Sequence, residues 1–206
     1  MSHEIINGAV KFMEQDFVAH KKLFEELGHY QDPHTLFIGC SDSRVVPSLI
    51  TSTFPGELFV VRNVANIVPR YHASQEYLAT TSAIEYAICA LNIENIVVCG
   101  HSNCGGCHAI YDPEKLAKLP AVANWLAQLD DIKHEILAHG IPEGEREWVT
   151  ERVNIISSLE NLRSYPTVGE RLANEELRIY GWHYVIETGE VFIYDEESGH
   201  FKLAKK

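Results

Sequence analysis

The stretch Thr35-Leu-Phe-Ile-Gly-Cys40-Ser-Asp-Ser-Arg44 joins a short, mostly apolar run to a group of polar residues. An apolar run of this length is the pattern of a β-strand that is buried on both faces of a sheet. The same pattern recurs at Leu58-Phe-Val-Val61 and at Ile96-Val-Val-Cys99. The three runs predict the central strands of a parallel sheet.

Other parts of the chain show helical periodicity. Three stretches carry apolar side chains at helical spacing: residues 77–91, about 122–139 and about 145–162. Strands that alternate with helices predict an α/β fold, with a mainly parallel central sheet, right-handed crossovers and helices on both faces. Near the end of the chain, Tyr184-Val-Ile186 and Val191-Phe-Ile-Tyr194 flank Thr188-Gly189, which predicts a C-terminal strand hairpin.

The N-terminal residues predict a helical arm. Residues 4–27 carry apolar side chains at mostly helical spacing, and Gly28 follows as a stop signal. We therefore expect an amphipathic helix within an arm over residues 1–30. Because no repeat or Ser/Gly linker interrupts the sequence, we expect one domain over residues 1–206 that includes this arm.

Composition and charge exclude several classes of protein. The 206 residues are 46% hydrophobic, which suffices for a core, and 17 Lys and Arg against 29 Asp and Glu give a net charge of −12. This charge opposes binding to nucleic acid or anionic lipid, so we expect neither partner. We find no membrane-spanning run and no secretory signal. Five cysteines, an odd number, favour a reducing compartment, and the expected location is the cytoplasm.

Metal-binding residue types follow two of the predicted strands. Cys40-Ser-Asp-Ser-Arg44 ends the first, and His101-Ser-Asn-Cys-Gly-Gly-Cys-His108 ends the third. Parallel strands bind ligands at their carboxyl ends, so both segments should share one edge of the sheet. Cys40, His101 and Cys104 would then supply three ligands and leave one tetrahedral position open, as in a catalytic zinc site. Thiolates select zinc over magnesium or calcium.

Two other interpretations of the second segment stay open. Cys104-Gly-Gly-Cys107 has the spacing of a thiol–disulfide exchange motif, although that role leaves Cys40 and His101 unexplained. The other alternative is a structural zinc site that uses Cys99, His101, Cys104 and Cys107. Against it stands the expectation that Cys99 ends a buried strand and points into the core.

Together, the two segments resemble the β-class carbonic anhydrases. The shared pattern is Cys-Ser-Asp-Ser-Arg about sixty residues before Gly-His-x-x-Cys-Gly, with a similar intervening stretch, Pro55-Gly-Glu-Leu-Phe-Val-Val-Arg-Asn-Val-Ala-Asn66. The resemblance is strong over about residues 31–106 and weaker beyond. It implies a carbonic anhydrase, a lyase that reversibly hydrates carbon dioxide to bicarbonate and a proton by attack of zinc-bound hydroxide. One Zn²⁺ per chain is implied.

The resemblance also implies roles for individual residues. Cys40, His101 and Cys104 match the zinc ligands. Asp42 and Arg44 match a catalytic pair, in which the carboxylate either becomes a fourth zinc ligand or is held off by the guanidinium so that water can bind. Five further positions would line the carbon dioxide pocket or orient bicarbonate: Gln31, Phe59, Val64, Tyr86 and Gly105.

Assembly and regulation follow from the same resemblance. Gln31 would reach across the interface of a homodimer, and a tetramer is also compatible with the family. In one branch of the family a Trp, an Arg and a Tyr hold an inhibitory bicarbonate; Arg62 and Tyr184 match two of these positions, but Phe37 replaces the Trp. Phe has no indole N–H donor. We therefore expect no cooperative bicarbonate inhibition, with Asp42 off the metal near neutral pH.

Two classes of function follow from these observations. The first is a zinc enzyme that hydrates carbon dioxide, which the Asp42–Arg44 pair and the apolar pocket favour. The second is a non-catalytic zinc-stabilised scaffold, or a relative that acts on another small cumulated electrophile such as carbon disulfide. His72, His108 and His183 are expected to be structural, although any of them could relay protons.

Overall fold

A computed structural model describes residues 2–71 and 78–205 of the chain. His72, and Tyr77 at the start of a predicted helix, lie outside the described residues. The chain divides into two compact units, Met1–Asp32 and Pro33–Lys206.

The first unit is helical, but it is not one continuous helix. It consists of α1 (Ser2–Lys11), a π-helical turn (Phe12–Asp16), α2 (Phe17–Ala19) and α3 (Lys21–Leu27). In the π-helical turn the N–H of Phe17 donates to the carbonyl of Phe12. Residues five apart therefore come to the same side, and the two rings meet with centroids 6.3 Å apart. The single helix predicted over residues 4–27 was wrong in this respect.

The second unit is built on a six-stranded sheet. Its strands are β1 (Thr35–Cys40), β2 (Leu58–Asn63), β3 (Asn95–His101), β4 (Arg178–Tyr184), β5 (Val191–Asp195) and β6 (His200–Leu203). The order across the sheet is β2-β1-β3-β4-β5-β6. The first four strands of this order pair in parallel, and the last two pair antiparallel. The predicted α/β fold with a mainly parallel sheet is confirmed.

Helices surround this sheet. They are α4 (Pro47–Thr51), α5 (Leu78–Cys89), α6 (Gly105–Ala109), α7 (Pro113–Leu116), α8 (Pro120–Leu126), α9 (Asp130–Ala138), α10 (Glu143–Arg163) and α11 (Pro166–Ala173). The helix predicted over about 122–139 is two helices, because a 3₁₀ turn at Ala127–Leu129 separates α8 from α9. Across residues 2–71 and 78–205, no helix combines the length and the apolar composition needed to span a bilayer.

The C-terminal hairpin is confirmed, and one further strand extends it. β4 and β5 form the hairpin, with Gly189 in the left-handed region at φ +75° in the turn between them. A second turn at Gly199, with φ +69°, leads into β6. The sequence analysis missed β6 because only Phe201 of its four residues is half-buried, so its alternation is weak.

Side-chain alternation along the strands separates the two faces of the sheet. Leu36 and Ile38 of β1 belong to the core cluster that α5, α10 and α11 complete, whereas Phe37 packs with Val97 and Cys99 on the opposite face. Gly181 of β4 allows α10 to approach closely, since a Cβ there would lie 2.7 Å from Ile155. This contact fixes the height of α10 above the sheet.

Candidate metal centre

β1 and β3 are neighbouring parallel strands, so their carboxyl-terminal ends lie at the same end of the sheet. Their register pairs Gly39 with Cys99, so the last residues of the two strands, Cys40 and His101, lie close together. Cys104 follows in the turn before α6. One ligand atom from each of Cys40, His101 and Cys104 lies within 4.8 Å of the other two, and all three residues are buried. Within the part of the chain that the structure describes, this is the one cluster of its kind.

These three side chains fit a zinc ion by donor type and by geometry. The Nδ1 atom of His101 lies 3.0 Å from the Ser102 carbonyl and donates to it, which leaves the lone pair of Nε2 available. Nε2 is buried, and the described residues offer it no hydrogen-bond partner. The Sγ atoms of Cys40 and Cys104 are 4.0 Å apart. Two thiolates at about 2.3 Å from a tetrahedral zinc would be about 3.8 Å apart.

Both thiols hold their protons tightly in the metal-free chain. The hydrogen bond with Cys104 and burial raise the pKa of Cys40 to about 12, and the interaction with Cys107 raises the pKa of Cys104. Burial alone would lower the pKa of His101, but its approach to Cys40 raises the pKa overall. A pair of buried thiolates therefore needs a bound cation to offset its electrostatic cost, and metal binding must release protons.

Cys99 and Cys107 are not part of the group of three ligand atoms that lie within 4.8 Å of one another, although Cys107 interacts with Cys104. Cys99 is fully buried in the apolar cluster of Phe37 and Val97. Cys107 lies on α6 among apolar side chains, and all five cysteines are free thiols. The arrangement does not form the alternative four-ligand site.

Asp42 and Arg44 form a closely bonded pair beside the triad. The Nε atom of Arg44 donates to Asp42 Oδ1 at 2.9 Å and Nη2 donates to Oδ2 at 2.7 Å, while the backbone N–H of Arg44 also donates to Oδ1 at 2.9 Å. These bonds hold the pKa of Asp42 well below its usual range. Asp42 Oδ2 is 4.0 Å from Nε2 of His101. The carboxylate is thus ionised and next to the triad, with both oxygens engaged by Arg44.

Arg62 of β2 supports the same loop from the other side. Its Nε donates to the Cys40 carbonyl at 3.0 Å and its Nη2 donates to the Asp42 carbonyl at 2.6 Å. The backbone carbonyl of Tyr184 accepts a hydrogen bond of 2.9 Å from the N–H of Ser102. Arg62 therefore forms hydrogen bonds at the end of the sheet, to the loop that carries Asp42.

Glu151 of α10 is a buried residue of the site that the sequence analysis missed. Its Oε1 accepts a hydrogen bond of 3.0 Å from the backbone N–H of Cys104, and its Oε2 lies 3.0 Å from Nε2 of His183. Glu151 is 2% exposed and His183 is fully buried. The available signal was the polar stripe at 150, 151, 154 and 158 within an otherwise apolar helix face, which indicates polar partners inside the fold.

Two of the expected substrate residues lie beside the triad. Val64 packs against the apolar cluster that contains Cys40 and Cys104, and its carbonyl accepts a hydrogen bond of 2.8 Å from the Trp125 indole. Gly105 directly follows Cys104, and a Cβ there would meet no atom within 4 Å. The structure thus leaves room for a side chain at Gly105, beside Cys104, while Val64 borders the apolar cluster of the triad.

The other three expected substrate residues are placed differently. Phe59 and Tyr86 contact each other, with ring centroids 5.8 Å apart. Phe59 pairs with Leu36, four residues before Cys40, which corresponds to about 13 Å along the strand. Gln31 is exposed in the segment that follows α3. Phe59 and Tyr86 are therefore not beside the triad of their own chain.

The chain is similar to known carbonic anhydrases over most of its length. Residues 35–191 match the family model described as carbonic anhydrase. A carbonic anhydrase of Helicobacter pylori strain J99 is 46% identical over 207 residues, which cover 97% of this chain and 93% of that protein. The solved structure of the β-carbonic anhydrase CcaA matches with a TM-score of 0.93 and 40% identity, over 98% of this chain and 99% of that one. Tetrameric β-carbonic anhydrases from Sordaria macrospora match with a TM-score of 0.75 and 28% identity, over 99% and 96%.

Removing the buried Glu151 carboxylate should destabilise the fold. In Glu151→Leu, the Cys104 N–H and the His183 ring lose their acceptor inside the protein, so the free energy of unfolding should fall by about 3 kcal/mol. Urea denaturation of the metal-free protein measures this change. Glu147→Leu is the control, one turn earlier on α10, because it removes only an exposed ion pair with His108, worth under about 1 kcal/mol. Equal losses in both variants would contradict the assignment.

Proposed function

The chain belongs to the β-carbonic anhydrase family of lyases, whose general activity is carbon dioxide hydration, and from this premise we propose the reaction and the residues that perform it. The protein reversibly hydrates carbon dioxide to bicarbonate and a proton, with one zinc ion per chain held by Cys40, His101 and Cys104. The observation that carries this proposal is the buried triad with the ionised Asp42 carboxylate 4.0 Å from its imidazole.

The chain's own residues prepare this centre for hydration chemistry. Cys40, His101 and Cys104 provide three ligands and leave one of four tetrahedral positions for substrate water. When bound, zinc supplies Lewis acidity that lowers the pKa of water, so that a nucleophile forms near neutral pH. The 3.0 Å contact between His101 Nδ1 and the Ser102 carbonyl keeps the ring in the tautomer that presents Nε2.

Asp42 and Arg44 act together on the attacking water. Because its pKa is held well below the usual range, Asp42 stays ionised and accepts a hydrogen bond from the nucleophile, which orients a lone pair toward carbon dioxide. Arg44 engages both carboxylate oxygens and so keeps Asp42 from becoming a zinc ligand. We propose that this arrangement, with Asp42 off the metal, is the one that operates near neutral pH.

Substrate binding follows from the apolar character of carbon dioxide. Val64 provides an apolar wall next to the ligands, and the backbone of Gly105 orients bicarbonate. Phe59 lies about 13 Å along the sheet from its own triad, and Tyr86 contacts Phe59, so we propose that both line the pocket of a second subunit. Gln31 reaches the same pocket across the interface.

A homodimer accounts for the apolar surface that one chain exposes. β2 is an edge strand with an unpaired side, and Val60 on it is 43% exposed. Phe54, which lines a shallow pocket together with Val60, is 57% exposed, and Leu49 of α4 is 76% exposed. In the arm, Ile5 is 81% exposed. Exposed edges and apolar patches of this kind favour association, and we propose that residues 1–206 act as one unit whose arm packs on the partner. Tetramers of relatives are compatible with pairing of such dimers.

The cysteine chemistry favours a reducing location. All five cysteines are free thiols, and two of them are proposed metal ligands that oxidation would inactivate. We therefore propose that the protein works in the cytoplasm.

Carbon dioxide hydration by the zinc-loaded protein tests the proposed function. Stopped-flow measurement should show hydration by the unaltered chain and a fall in kcat/KM of roughly 10- to 100-fold in Arg44→Ala, with zinc retained, because the carboxylate is no longer held off the metal. Arg163→Ala, which loses only surface ion pairs, is the matched control and should keep full activity. Wild-type turnover in Arg44→Ala would refute the role of the pair.

Zinc content distinguishes the proposed ligands from the other cysteines. Cys40→Ser should lose most of its zinc, since a serine hydroxyl is a far weaker ligand than a thiolate, whereas Cys107→Ser should keep one zinc per chain. Elemental analysis of the purified variants gives the ratio. The opposite result, with full loading of Cys40→Ser and loss from Cys99→Ser and Cys107→Ser, would favour the structural four-ligand site.

The two edges of the sheet offer a matched test of the dimer. Val60→Lys on β2 should weaken association by placing a charge in the interface, while Leu203→Lys on β6, at the opposite edge, should not. Their exposures are similar, 43% and 40%. Light scattering after size-exclusion chromatography measures the mass.

Deletion of residues 1–27 should also give monomers or aggregates with little activity. A fully active monomer from that deletion would overturn the proposal.

A further inference from the structure

The turn between β4 and β5 places a carboxylate against the ligand loop. The turn is closed by the N–H of Val185, which donates to the Glu190 carbonyl at 2.8 Å. From this turn, Glu187 Oε2 accepts a hydrogen bond of 2.8 Å from the Ser102 hydroxyl, and Oε1 accepts one from the Asn103 amide. Glu187 is thus bonded to both residues between His101 and Cys104, although it contacts neither metal ligand through these bonds.

Asn103 connects Glu187 to Arg44, because it forms a hydrogen bond with each of them. Its backbone has φ +54°, a left-handed conformation that most residues avoid and that Asn tolerates. In this conformation the Asn103 carbonyl accepts a hydrogen bond of 2.9 Å from Arg44 Nη2. The same Nη2 donates to Asp42 Oδ2 at 2.7 Å. The position of the Asn103 carbonyl therefore helps to determine where the guanidinium meets the Asp42 carboxylate.

Ser102 connects the turn and the loop from both directions. Its hydroxyl donates to Glu187 and accepts a hydrogen bond of 2.9 Å from the N–H of Ile186. Its backbone N–H donates to the Tyr184 carbonyl at 2.9 Å. With these bonds in place, the loop cannot shift relative to the β4–β5 turn without breaking several of them.

Electrostatic attraction between Glu187 and Arg44 supports the arrangement that these hydrogen bonds create. Asp42 is the largest contributor to the raised pKa of Arg44, and the negative charge of Glu187 adds to it. The hydrogen bond from Ser102 lowers the pKa of Glu187, so the carboxylate is ionised. Glu187 attracts the guanidinium from the Asn103 side while Asp42 holds it from the other.

We propose that Glu187 is a positioning residue for carbon dioxide hydration. It acts by fixing the Asn103 carbonyl, which in turn fixes the two hydrogen bonds from the Arg44 guanidinium to the Asp42 carboxylate. The inference rests on the proposed function. A simpler role, in which Glu187 only stabilises the ligand loop, makes a different prediction, because its loss would then affect the protein whether or not Arg44 is present.

A double-mutant cycle separates the two roles. Glu187→Ala should lower kcat/KM for carbon dioxide hydration about tenfold, with zinc content and melting temperature unchanged. In the Arg44→Ala background the same substitution should change kcat/KM by less than about twofold, since the group through which it acts is gone. Equal factors in both backgrounds would assign Glu187 a merely structural role and overturn the inference.

Two further variants control for charge and for hydrogen bonding. Glu190→Ala removes a carboxylate from the same turn whose side-chain oxygen bonds only Thr188 among the described residues, so it should keep wild-type activity. Glu187→Gln keeps one acceptor oxygen and should recover part of the activity that Glu187→Ala loses. Activity loss in Glu190→Ala equal to that in Glu187→Ala would show that turn charge alone is responsible, against the proposal.

A measurement without turnover distinguishes failure of this inference from failure of the proposed function. The Arg44 Nε–H, bonded to Asp42 at 2.9 Å, should exchange with water more slowly in the unaltered protein than in Glu187→Ala, as read by NMR of arginine side chains. If the unaltered zinc protein hydrates no carbon dioxide, the proposed function fails while this readout still tests Glu187. Identical exchange in both proteins would overturn the inference.

Discussion

The parallel pairing of β1 with β3 is the constraint on which the rest of the site depends. Because the two strands run in the same direction in register, their last residues, Cys40 and His101, lie at the same end of the strands although they are sixty-one positions apart in the chain. An antiparallel pair would place them at opposite ends. Only two residues, Ser102 and Asn103, separate His101 from Cys104 in the turn after β3, so the cluster of three donors requires no long loop of its own.

Ionisation of the two buried thiols would carry an electrostatic cost, as their raised pKa values indicate, and charged and polar groups surround them. Cationic Arg44 lies on the loop that carries Asp42, and Arg62 of β2 donates to the backbone carbonyls of Cys40 and Asp42 in that loop. Glu151 accepts a hydrogen bond from the Cys104 amide and is itself bonded to His183, so both oxygens of this buried carboxylate have a hydrogen-bond partner. Apolar side chains around the triad exclude water, which strengthens the buried hydrogen bonds of Glu151 with the Cys104 amide and with His183.

The site is therefore assembled from the ends of several strands and from one helix. β1 supplies Cys40 and leads into the loop of Asp42, β2 supplies Arg62, and β3 supplies His101, while the β4–β5 turn supplies Glu187 and α10 supplies Glu151. α10 lies close to the sheet because Gly181 leaves room for Ile155. A shift of any one element would move a hydrogen-bond partner of the loop over residues 101–104. The packing between these elements therefore holds both the scaffold and the geometry of the site.

The sequence alone determined β1, β2 and β3, the helices α5 and α10 and the three clustered donors, because residue type and local periodicity report burial and direction within one element. Only the tertiary structure decided that Glu151 and Glu187 meet the ligand loop, since those contacts join residues 47 and 85 apart. Tertiary structure also separated Phe59 and Tyr86 from the triad of their own chain. The physical reason is that a hydrogen-bond partner distant in sequence is chosen by packing between elements, and local periodicity carries no information about it.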